Sequence, residues 1–229
     1  MKKIIVITGA GSGLGKEAAK LLSVNDTVIG VGLGSKNLKI LKKEVGCDVY
    51  SCDISKSSAV SSLSKKITKN YGKIDCLVNN AGIWTQGRLD SEDDKKIQKV
   101  IDVNLVGSIL MSKYFLPLLS KAEAGLIINI ISQNGLYSKP DRSVYGASKW
   151  GMTGFTKYLS EDMLPSGIRV TGIYPGKMDT SLFASQKVKK DMSDSLSPVL
   201  VAGTIKFIID QPSEVYIPEL GIKSAKQLQ

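Results

Sequence analysis

The chain has 229 residues, enough for one α/β domain, and its composition marks no second one, so we expect a single domain over residues 1–229. Its net charge is +10, but the lysines are scattered, which argues against a nucleic-acid-binding or membrane-binding protein. The absence of histidine removes the usual zinc ligand and general base, so we expect no metal site and another acid–base group. Three cysteines without metal-site spacing favour a reducing compartment, and we expect a cytoplasmic protein.

Short apolar runs alternate with segments of helical period along the whole chain. The apolar runs predict strands over residues 3–8, 27–31, 48–51, 75–79, 126–131, 169–174 and 214–217. The intervening segments predict helices over residues 13–22, 36–45, 57–71, 93–120, 143–163 and 198–209. This alternation predicts a Rossmann-type, doubly wound α/β domain, in which a mainly parallel sheet of about seven strands is flanked by helices. Ligands of such sheets bind at the carboxyl ends of the strands.

A glycine-rich turn follows the first predicted strand. Residues 8–15 read Thr8-Gly9-Ala10-Gly11-Ser12-Gly13-Leu14-Gly15 and lead directly into the first predicted helix. Glycine lets the backbone turn sharply and lets a ligand approach main-chain N–H groups, while the N-terminus of the helix attracts an anion such as a pyrophosphate. A turn of this kind can also simply reverse the chain. Its place in a β-α unit favours the phosphate site, although Leu14 stands where the common dinucleotide motif has its third glycine.

Polar groups follow three other predicted strands. After the third strand comes Asp53-Ile54, whose carboxylate either accepts a hydrogen bond from an adenine amino group or stabilises a helix N-terminus. The fourth strand ends in Asn79-Asn80-Ala81-Gly82, which forms either an ordinary turn or a space for a flat ligand. Residues 174–180 follow the sixth strand and contain Pro175-Gly176; turn chemistry explains these two residues but not the rest of the segment.

A serine, a tyrosine and a lysine form the candidate acid–base group. Ser132 directly follows the fifth predicted strand, and Tyr145 and Lys149 lie four residues apart, on one face of a predicted helix. A nearby ammonium group favours the phenolate, so that a phenol with an ordinary pKa near 10 can exchange a proton at lower pH. Asn104 falls on an apolar helix stripe, where its amide either bonds to a neighbouring turn or holds a water between itself and Lys149.

Together these motifs resemble the short-chain dehydrogenase/reductase family from Ile4 to about Ile217. The resemblance implies that Tyr145 is the catalytic acid/base, that Ser132 orients the substrate oxygen, that Lys149 lowers the pKa of Tyr145 and binds the nicotinamide ribose, and that Asn104 holds a relay water. It also implies a cofactor site formed by Gly9, Ser12, Gly13, Leu14, Gly15, Asp53, Ile54, Asn80, Ala81, Gly82, Tyr145, Lys149, Pro175, Gly176, Met178 and Thr180.

The resemblance implies hydride transfer between a nicotinamide cofactor and a carbonyl or secondary-alcohol substrate. Gly32 and Leu33 stand where the family usually has an acidic residue for NAD or an arginine for NADP; with Ser35 and Lys36 nearby, this favours NADP over NAD. Two alternatives stay open: a nucleotide-sensing regulator that turns nothing over, and a lyase or epimerase that uses the cofactor internally. The intact proton-transfer residues argue against the sensor.

The substrate pocket and the assembly are less marked in the sequence. Residues 181–197 are polar and rich in lysine, and we expect them to form a short substrate lid that becomes ordered on binding. Their neighbourhood to the motifs makes the following residues candidates for a partly apolar pocket: Trp84, Asn134, Leu136, Tyr137, Lys139, Met178, Leu182 and Phe183. The family resemblance further implies a homodimer or homotetramer, paired through the helices around Asn104 and Tyr145, where Gly107, Ser108, Gly146, Ala147 and Gly151 are small.

Overall fold

A parallel β-sheet forms the centre of the protein. The computed structural model describes residues 2–180, 182 and 191–228, without the side chains of residues 227 and 228, and within these residues the sheet has seven strands. Their order is β3-β2-β1-β4-β5-β6-β7, and every neighbouring pair is parallel. The strands are β1 (Ile4–Thr8), β2 (Thr27–Gly32), β3 (Asp48–Ser51), β4 (Cys76–Asn79), β5 (Leu126–Ile130), β6 (Arg169–Pro175) and β7 (Glu219–Ile222).

Helices cover both faces of the sheet. They are α1 (Gly13–Leu22), α2 (Ser35–Val45), α3 (Ser57–Tyr71), α4 (Asp94–Ile101), α5 (Gly107–Leu119), α6 (Ser143–Met163) and α7 (Pro198–Asp210). Because successive strand residues point to opposite faces, Ile5 and Ile7 pack on the side of α1 and α7, whereas Val6 packs on the side of α3 and α5. Both faces of the central strands are therefore buried, as in the predicted doubly wound fold, which is confirmed.

Local signals explain why most helix bounds agree with the predictions. Helix α2 ends at Gly46 in the left-handed conformation, with φ of 71°, which a residue with a side chain adopts at a cost. Helix α7 begins at Pro198 after Ser197, whose hydroxyl accepts a hydrogen bond from the Val199 N–H group at 3.3 Å. The predicted bounds of α1, α3 and α6 coincide with those observed.

The predicted helix over residues 93–120 is interrupted in the structure. Between α4 and α5, residues Asp102–Val106 form a π-helical turn, in which the Gly107 N–H group bonds to the Asp102 carbonyl five residues earlier. The whole run Asp94–Leu119 is long and apolar enough to cross a membrane. In this fold several of its apolar side chains pack inside the protein: Met111, Phe115 and Leu118 are buried in the core against the sheet.

The last predicted strand, over residues 214–217, is wrong; β7 comprises Glu219–Ile222 instead. Side chains of β6 occupy the carbonyls of the predicted segment: Arg169 donates to Val215 at 2.6 Å and Thr171 donates to Ile217 at 2.7 Å. Pairing with β6 begins where the Gly172 N–H group donates to the Pro218 carbonyl at 2.9 Å. Proline has no N–H to offer a ladder, so the regular strand follows it.

Candidate active site

A cavity of about 570 Å³ opens at the carboxyl ends of the strands, where the predicted motifs meet. This volume is in the range of pockets that hold a drug-sized ligand or cofactor. Most of the predicted site residues line it: Gly9, Ser12, Gly13, Leu14, Asp53, Ile54, Asn80, Ala81, Gly82, Ser132, Tyr145, Lys149, Pro175, Gly176, Met178 and Thr180. Gly15 and Asn104 do not line it, and the structure gives each another place.

Gly15 serves the packing of the glycine turn rather than the lining of the cavity. A Cβ atom at this position would overlap the carbonyl oxygen of Gly9 and lie 2.5 Å from Nδ2 of Asn80. The side chain of Asn80 is held there because its Nδ2 donates to the Thr8 carbonyl at 2.8 Å, while the Thr8 hydroxyl accepts from the Asn80 N–H at 2.9 Å. The turn therefore presents backbone and the N-terminus of α1 to the cavity, a surface suited to a pyrophosphate.

Tyr145 and Ser132 both line the cavity. The Ser132 hydroxyl lies close enough to Tyr145 to affect its pKa, and it accepts a hydrogen bond from the Asn134 N–H at 3.1 Å. Tyr145 is only 5 % exposed, and the Trp84 ring lies edge-on to it with centroids 6.5 Å apart. Burial raises the pKa of Tyr145 to about 12, whereas the hydrogen bond from Ser132 and the charge of Arg142 act to lower it.

Lys149 lies beside Tyr145 but is itself strongly desolvated. Its Nζ donates to the Ile130 carbonyl at 3.1 Å and is 5.8 Å from the centroid of the Tyr145 ring. Burial lowers the pKa of Lys149 to about 8. The sequence led us to expect that Lys149 would lower the pKa of Tyr145. In the structure the net shift of Tyr145 is upward, because desolvation dominates both groups and favours their neutral forms.

Asn104 lies in the π-helical turn, almost fully buried behind the cavity. Its Oδ1 accepts from the Ile83 N–H at 2.8 Å, and its Nδ2 donates to the Ile83 carbonyl at 2.9 Å and to the Ser148 hydroxyl at 3.0 Å. Protein groups thus satisfy this amide, as in the structural alternative considered above. A Cβ atom at Gly82 would lie 3.2 Å from Oδ1 of Asn104 and 3.8 Å from Nζ of Lys149, so both groups border the space beside Gly82.

The structure separates the candidate substrate residues into three groups. Trp84, Asn134, Lys139, Met178 and Leu182 line the cavity as expected. Leu136 and Tyr137 do not, because Leu136 packs in a small core cluster and Tyr137 is exposed. Phe183 lies outside the described residues, as do residues 181 and 183–190 of the expected lid. In the described remainder of that segment, the Leu196 N–H donates to the Lys177 carbonyl at 2.8 Å.

Sequence reasoning missed two charged features of the cavity. One is Arg142, three residues before Tyr145, which lines the cavity close enough for its charge to affect the phenol. Its position directly before the predicted helix that carries Tyr145 was a usable signal for it. The other is an ion pair between Lys177 and Asp194, which joins the turn after β6 to residues near the start of α7. No local spacing indicates that pair, because the two residues are brought together by the path of the chain.

Gly32 and Leu33, which stand where the family distinguishes NAD from NADP, lie at the outer end of the cavity. Gly32 and Leu33 line it, and the Leu33 side chain is 64 % exposed. A Cβ atom at Gly32 would meet Leu38 at 3.6 Å, an ordinary contact, so this position accepts a side chain. Ser35 and Lys36 begin α2 and are exposed, but they are outside the cavity lining.

Comparison with known proteins identifies the family of this chain. The sequence model of the short chain dehydrogenase family matches residues 3–191. The chain belongs to the short-chain dehydrogenase/reductase family, and it is an oxidoreductase. The predicted resemblance to this family is therefore confirmed.

Relatives and solved structures of this family match nearly the whole chain. Carbonyl reductase family member 4 of Xenopus laevis is 33 % identical over 223 residues, which cover 93 % of each chain. A 3-ketoacyl-(acyl-carrier-protein) reductase from Brucella melitensis, solved with NADH, has a TM-score of 0.90 at 27 % identity and 98 % coverage of both chains. An alcohol dehydrogenase from Thermococcus sibiricus, solved with 5-hydroxy-NADP, has a TM-score of 0.88 at 27 % identity, with 98 % of this chain and 97 % of that chain covered.

Proposed function

We propose that this enzyme transfers a hydride between a nicotinamide cofactor and a carbonyl or secondary-alcohol substrate, with Tyr145 as the proton donor and acceptor. The observation that carries the proposal is that Tyr145, Ser132 and Lys149 line the same cavity as the glycine turn, with Ser132 close enough to Tyr145 to affect its pKa. A dinucleotide with its phosphates on the glycine turn would lie in the same cavity as Tyr145 and Ser132. The names and ligands of the relatives support the same reaction class.

The described residues fit a dinucleotide cofactor. The glycine turn and the N-terminus of α1 would hold the pyrophosphate, since a helix N-terminus offers unpaired N–H groups and a positive dipole end. Asp53 and Ile54 would border the adenine, and the turn from Pro175 to Thr180 would hold the nicotinamide carboxamide. When bound, the cofactor supplies or accepts the hydride.

The protein residues then manage the oxygen and the proton. In the reductive direction the Tyr145 hydroxyl gives its proton to the carbonyl oxygen as the hydride reaches the carbonyl carbon, which yields the alcohol. Ser132 donates a hydrogen bond to the same oxygen and stabilises its developing charge. Its second contact, with the Asn134 N–H, holds the hydroxyl in place. The edge of Trp84 excludes water from one side of Tyr145.

Lys149 and Asn104 would return the proton to Tyr145. The Nζ of Lys149 would bind the ribose of the nicotinamide half, next to its bond with the Ile130 carbonyl. With a pKa lowered to about 8, this ammonium can release a proton near neutral pH. A water in the space beside Gly82, between Asn104 and Lys149, would connect the lysine to further solvent.

We further propose that NADP is preferred over NAD. Gly32 and Leu33 place no carboxylate where it would repel a 2′-phosphate, and the net charge of +10 favours the more anionic cofactor. The relatives do not decide this point, because one is solved with NADH and another with an NADP derivative.

The assembly and the lid are also proposals. We propose a homodimer or homotetramer that pairs through α6, where Trp150 is half exposed and Gly146 has open space in front of it. Gly107 and Gly151 are used inside the chain instead, against Ile54 and Leu105. Sedimentation at micromolar concentration tests the pairing.

The lid over residues 181–197 is a separate proposal. Hydrogen exchange over these residues, with and without cofactor and substrate, tests it, and equal strong protection in both states contradicts it.

The reaction class is tested by adding NADPH or NADH to the purified protein with a panel of aldehydes and ketones and following absorbance at the nicotinamide band. Stoichiometric loss of reduced cofactor with formation of alcohol is the expected result. Tight cofactor binding without consumption would favour the sensor, and substrate conversion without net consumption would favour the lyase or epimerase.

The three unpaired, buried cysteines support our further proposal of a reducing, cytoplasmic location.

A further inference from the structure

Within the described residues, Arg142 differs from the other two arginines of the chain in that it bonds to no carboxylate and to no backbone carbonyl. Arg88 pairs with Asp90 at 2.9 Å, and Arg169, at the far end of β6, donates to the Pro212 and Val215 carbonyls. The Nη1 of Arg142 reaches only Oδ1 of Asn134, at 3.5 Å, the outer limit for a hydrogen bond. Its Nε is buried without a partner, a property it shares with Nε of Arg169. Among the described residues Arg142 takes part in no ion pair.

The backbone holds Arg142 at the active site. It is the N-cap residue of α6, and its carbonyl accepts the Gly146 N–H. Asp141 before it is in the left-handed region with φ of 57°, a conformation that aspartate tolerates, and its carbonyl accepts from the Gly87 N–H at 2.9 Å. This fixes Arg142 at the N-terminus of α6, three residues before Tyr145.

Arg142 lies where two concave surfaces meet. It lines the catalytic cavity together with Tyr145 and Asn134, and it lines a shallow neighbouring depression together with Arg88 and Asp141. Lys139 also lines both, at their rim. The guanidinium is partly desolvated, so burial lowers the pKa of Arg142, and the charge of Arg142 in turn lowers the pKa of Tyr145. A cation that has no counterion among the described residues therefore lies close to Tyr145, the proposed proton donor.

The carboxylates around the cavity have other partners. Asp194 is paired with Lys177, and Asp53, at the adenine end, accepts from the backbone and hydroxyl of Ser55 at 3.0 Å and 2.7 Å. Asp141 is exposed, and no ion pair joins it to Arg142 in the described part of the chain. A desolvated guanidinium is costly unless an anion pairs with it, and its planar N–H groups match a carboxylate or a phosphate.

We propose that Arg142, with Lys139 at the rim, binds an anionic group of the substrate, so that the enzyme acts on carbonyl compounds carrying a carboxylate or a phosphate close to the reacting carbonyl. This inference rests on the proposed function and names its substrate class. The anion on Arg142 directs the carbonyl oxygen toward Tyr145 and Ser132. The positive net charge of the protein adds steering of such substrates toward the cavity.

Matched pairs of charged and neutral substrates test this proposal and distinguish the two anions. Acetoacetate is compared with methyl acetoacetate, and dihydroxyacetone phosphate with dihydroxyacetone, by kcat/KM with the preferred cofactor. We expect the charged member of one pair to be favoured at least about tenfold, which identifies carboxylate or phosphate as the group recognised. Turnover of neutral ketones with no preference in either pair overturns this inference and leaves the proposed function intact. No turnover of any carbonyl compound overturns the proposed function as well.

Variants assign the preference to Arg142. In Arg142→Gln the charged-to-neutral ratio of kcat/KM should fall at least about tenfold, and Arg142→Lys should restore part of it. A purely structural effect, or a change in the pKa of Tyr145, would lower kcat/KM for both members of a pair by the same factor. The ratio would then stay unchanged. Arg88→Gln is the matched control, because Arg88 borders only the neighbouring depression and has its own partner, Asp90. An unchanged ratio in Arg142→Gln overturns the proposal.

A measurement on the unaltered protein covers the case in which Arg142→Gln does not fold. Phenylglyoxal modifies arginine, and mass spectrometry of peptides gives the extent of modification at Arg142 and Arg88 separately. With cofactor present throughout, the favoured charged substrate should slow modification of Arg142 severalfold and leave Arg88 unaffected, whereas its neutral partner should slow neither. Equal protection of Arg142 by both members of the pair contradicts the proposal.

Discussion

The two ends of the cavity are built in different ways. At the glycine turn of the cofactor end, backbone and glycines carry much of the surface, and Thr8 and Asn80 nearby are engaged in holding β1 against β4. At the substrate end, side chains from several distant segments carry the surface, among them Trp84, Asn134 and Arg142. The first end suits a ligand recognised through its phosphates, and the second suits one recognised through its particular shape and charge.

Substitutions should therefore have different consequences at the two ends of the cavity. The glycine turn would hold the pyrophosphate mainly through its backbone, so changes within the turn itself should act on stability and cofactor affinity together. Substitutions at the substrate end should alter which carbonyl compound is accepted while leaving the cradle intact. Tyr145 and Lys149 lie between the two ends, and they should affect turnover more than either binding step.

Tyr145→Phe should produce the largest effect and is the sharpest test of that division. We expect turnover to fall at least about a hundredfold, the low end for general acid–base catalysis, because the chain has no histidine to replace the phenol. Cofactor affinity should change little, since phenylalanine fills the same space. Steady-state kinetics and a cofactor titration measure the two quantities. Near-normal turnover would remove Tyr145 from its proposed role.

Lys149→Met tests how far burial lowers the pKa of Lys149, which lies between the two ends of the cavity. The folded pKa of Lys149 is lowered to about 8, against ~10.4 for an unfolded lysine, so its contribution to stability is full above ~10.4 and is lost as pH falls through 8. The stability of the unmodified protein, relative to the variant, should therefore rise between pH 8 and 10.4 by roughly 3 kcal/mol at most. Urea unfolding without cofactor measures it, and parallel pH curves for the two proteins would contradict it.

Gly15→Ala should damage the cofactor end selectively. The added Cβ would overlap the Gly9 carbonyl, so backbone must move, and we expect a loss of about 1–3 kcal/mol in the free energy of unfolding with weaker cofactor binding. Substrate discrimination should be retained. Gly203→Ala is the control, because nothing lies within 4 Å of the Cβ position of Gly203 in α7. The free energy of unfolding of this variant should be higher by about 1 kcal/mol. Equal stability changes in the two variants would refute the packing role of Gly15.

Gly32→Asp should have the smallest effect and concerns cofactor choice alone. The unmodified protein should bind NADPH more tightly than NADH, and the variant should reverse that order, with a change of about tenfold in the affinity ratio, by placing a carboxylate against the 2′-phosphate. The position accepts a side chain, since Leu38 is its nearest neighbour at 3.6 Å. Gly203→Asp changes the net charge equally but far from the cavity. Tighter NADH binding by the unmodified protein would contradict the assignment.

The sequence by itself determined the alternation of strands and helices, the glycine turn and the pairing of Tyr145 with Lys149. These features are local: a period of apolar residues, a run of glycines and a spacing of four along a helix need no knowledge of the rest of the chain. The same locality explains the error at β7. An apolar segment before Pro218 predicted a strand, but Arg169 and Thr171 of β6 take its carbonyls.

Only the tertiary structure decided how distant segments share one site. It satisfies the side-chain amide of Asn104 with hydrogen bonds to Ile83 and Ser148, and it packs Gly15 against Asn80. It also desolvates Tyr145 and Lys149 until burial outweighs the attraction expected between phenolate and ammonium. Such outcomes depend on which atoms the folded sheet places within a few ångströms of each other and on how much water it removes around them. Neither quantity is encoded in the spacing of residues along the chain.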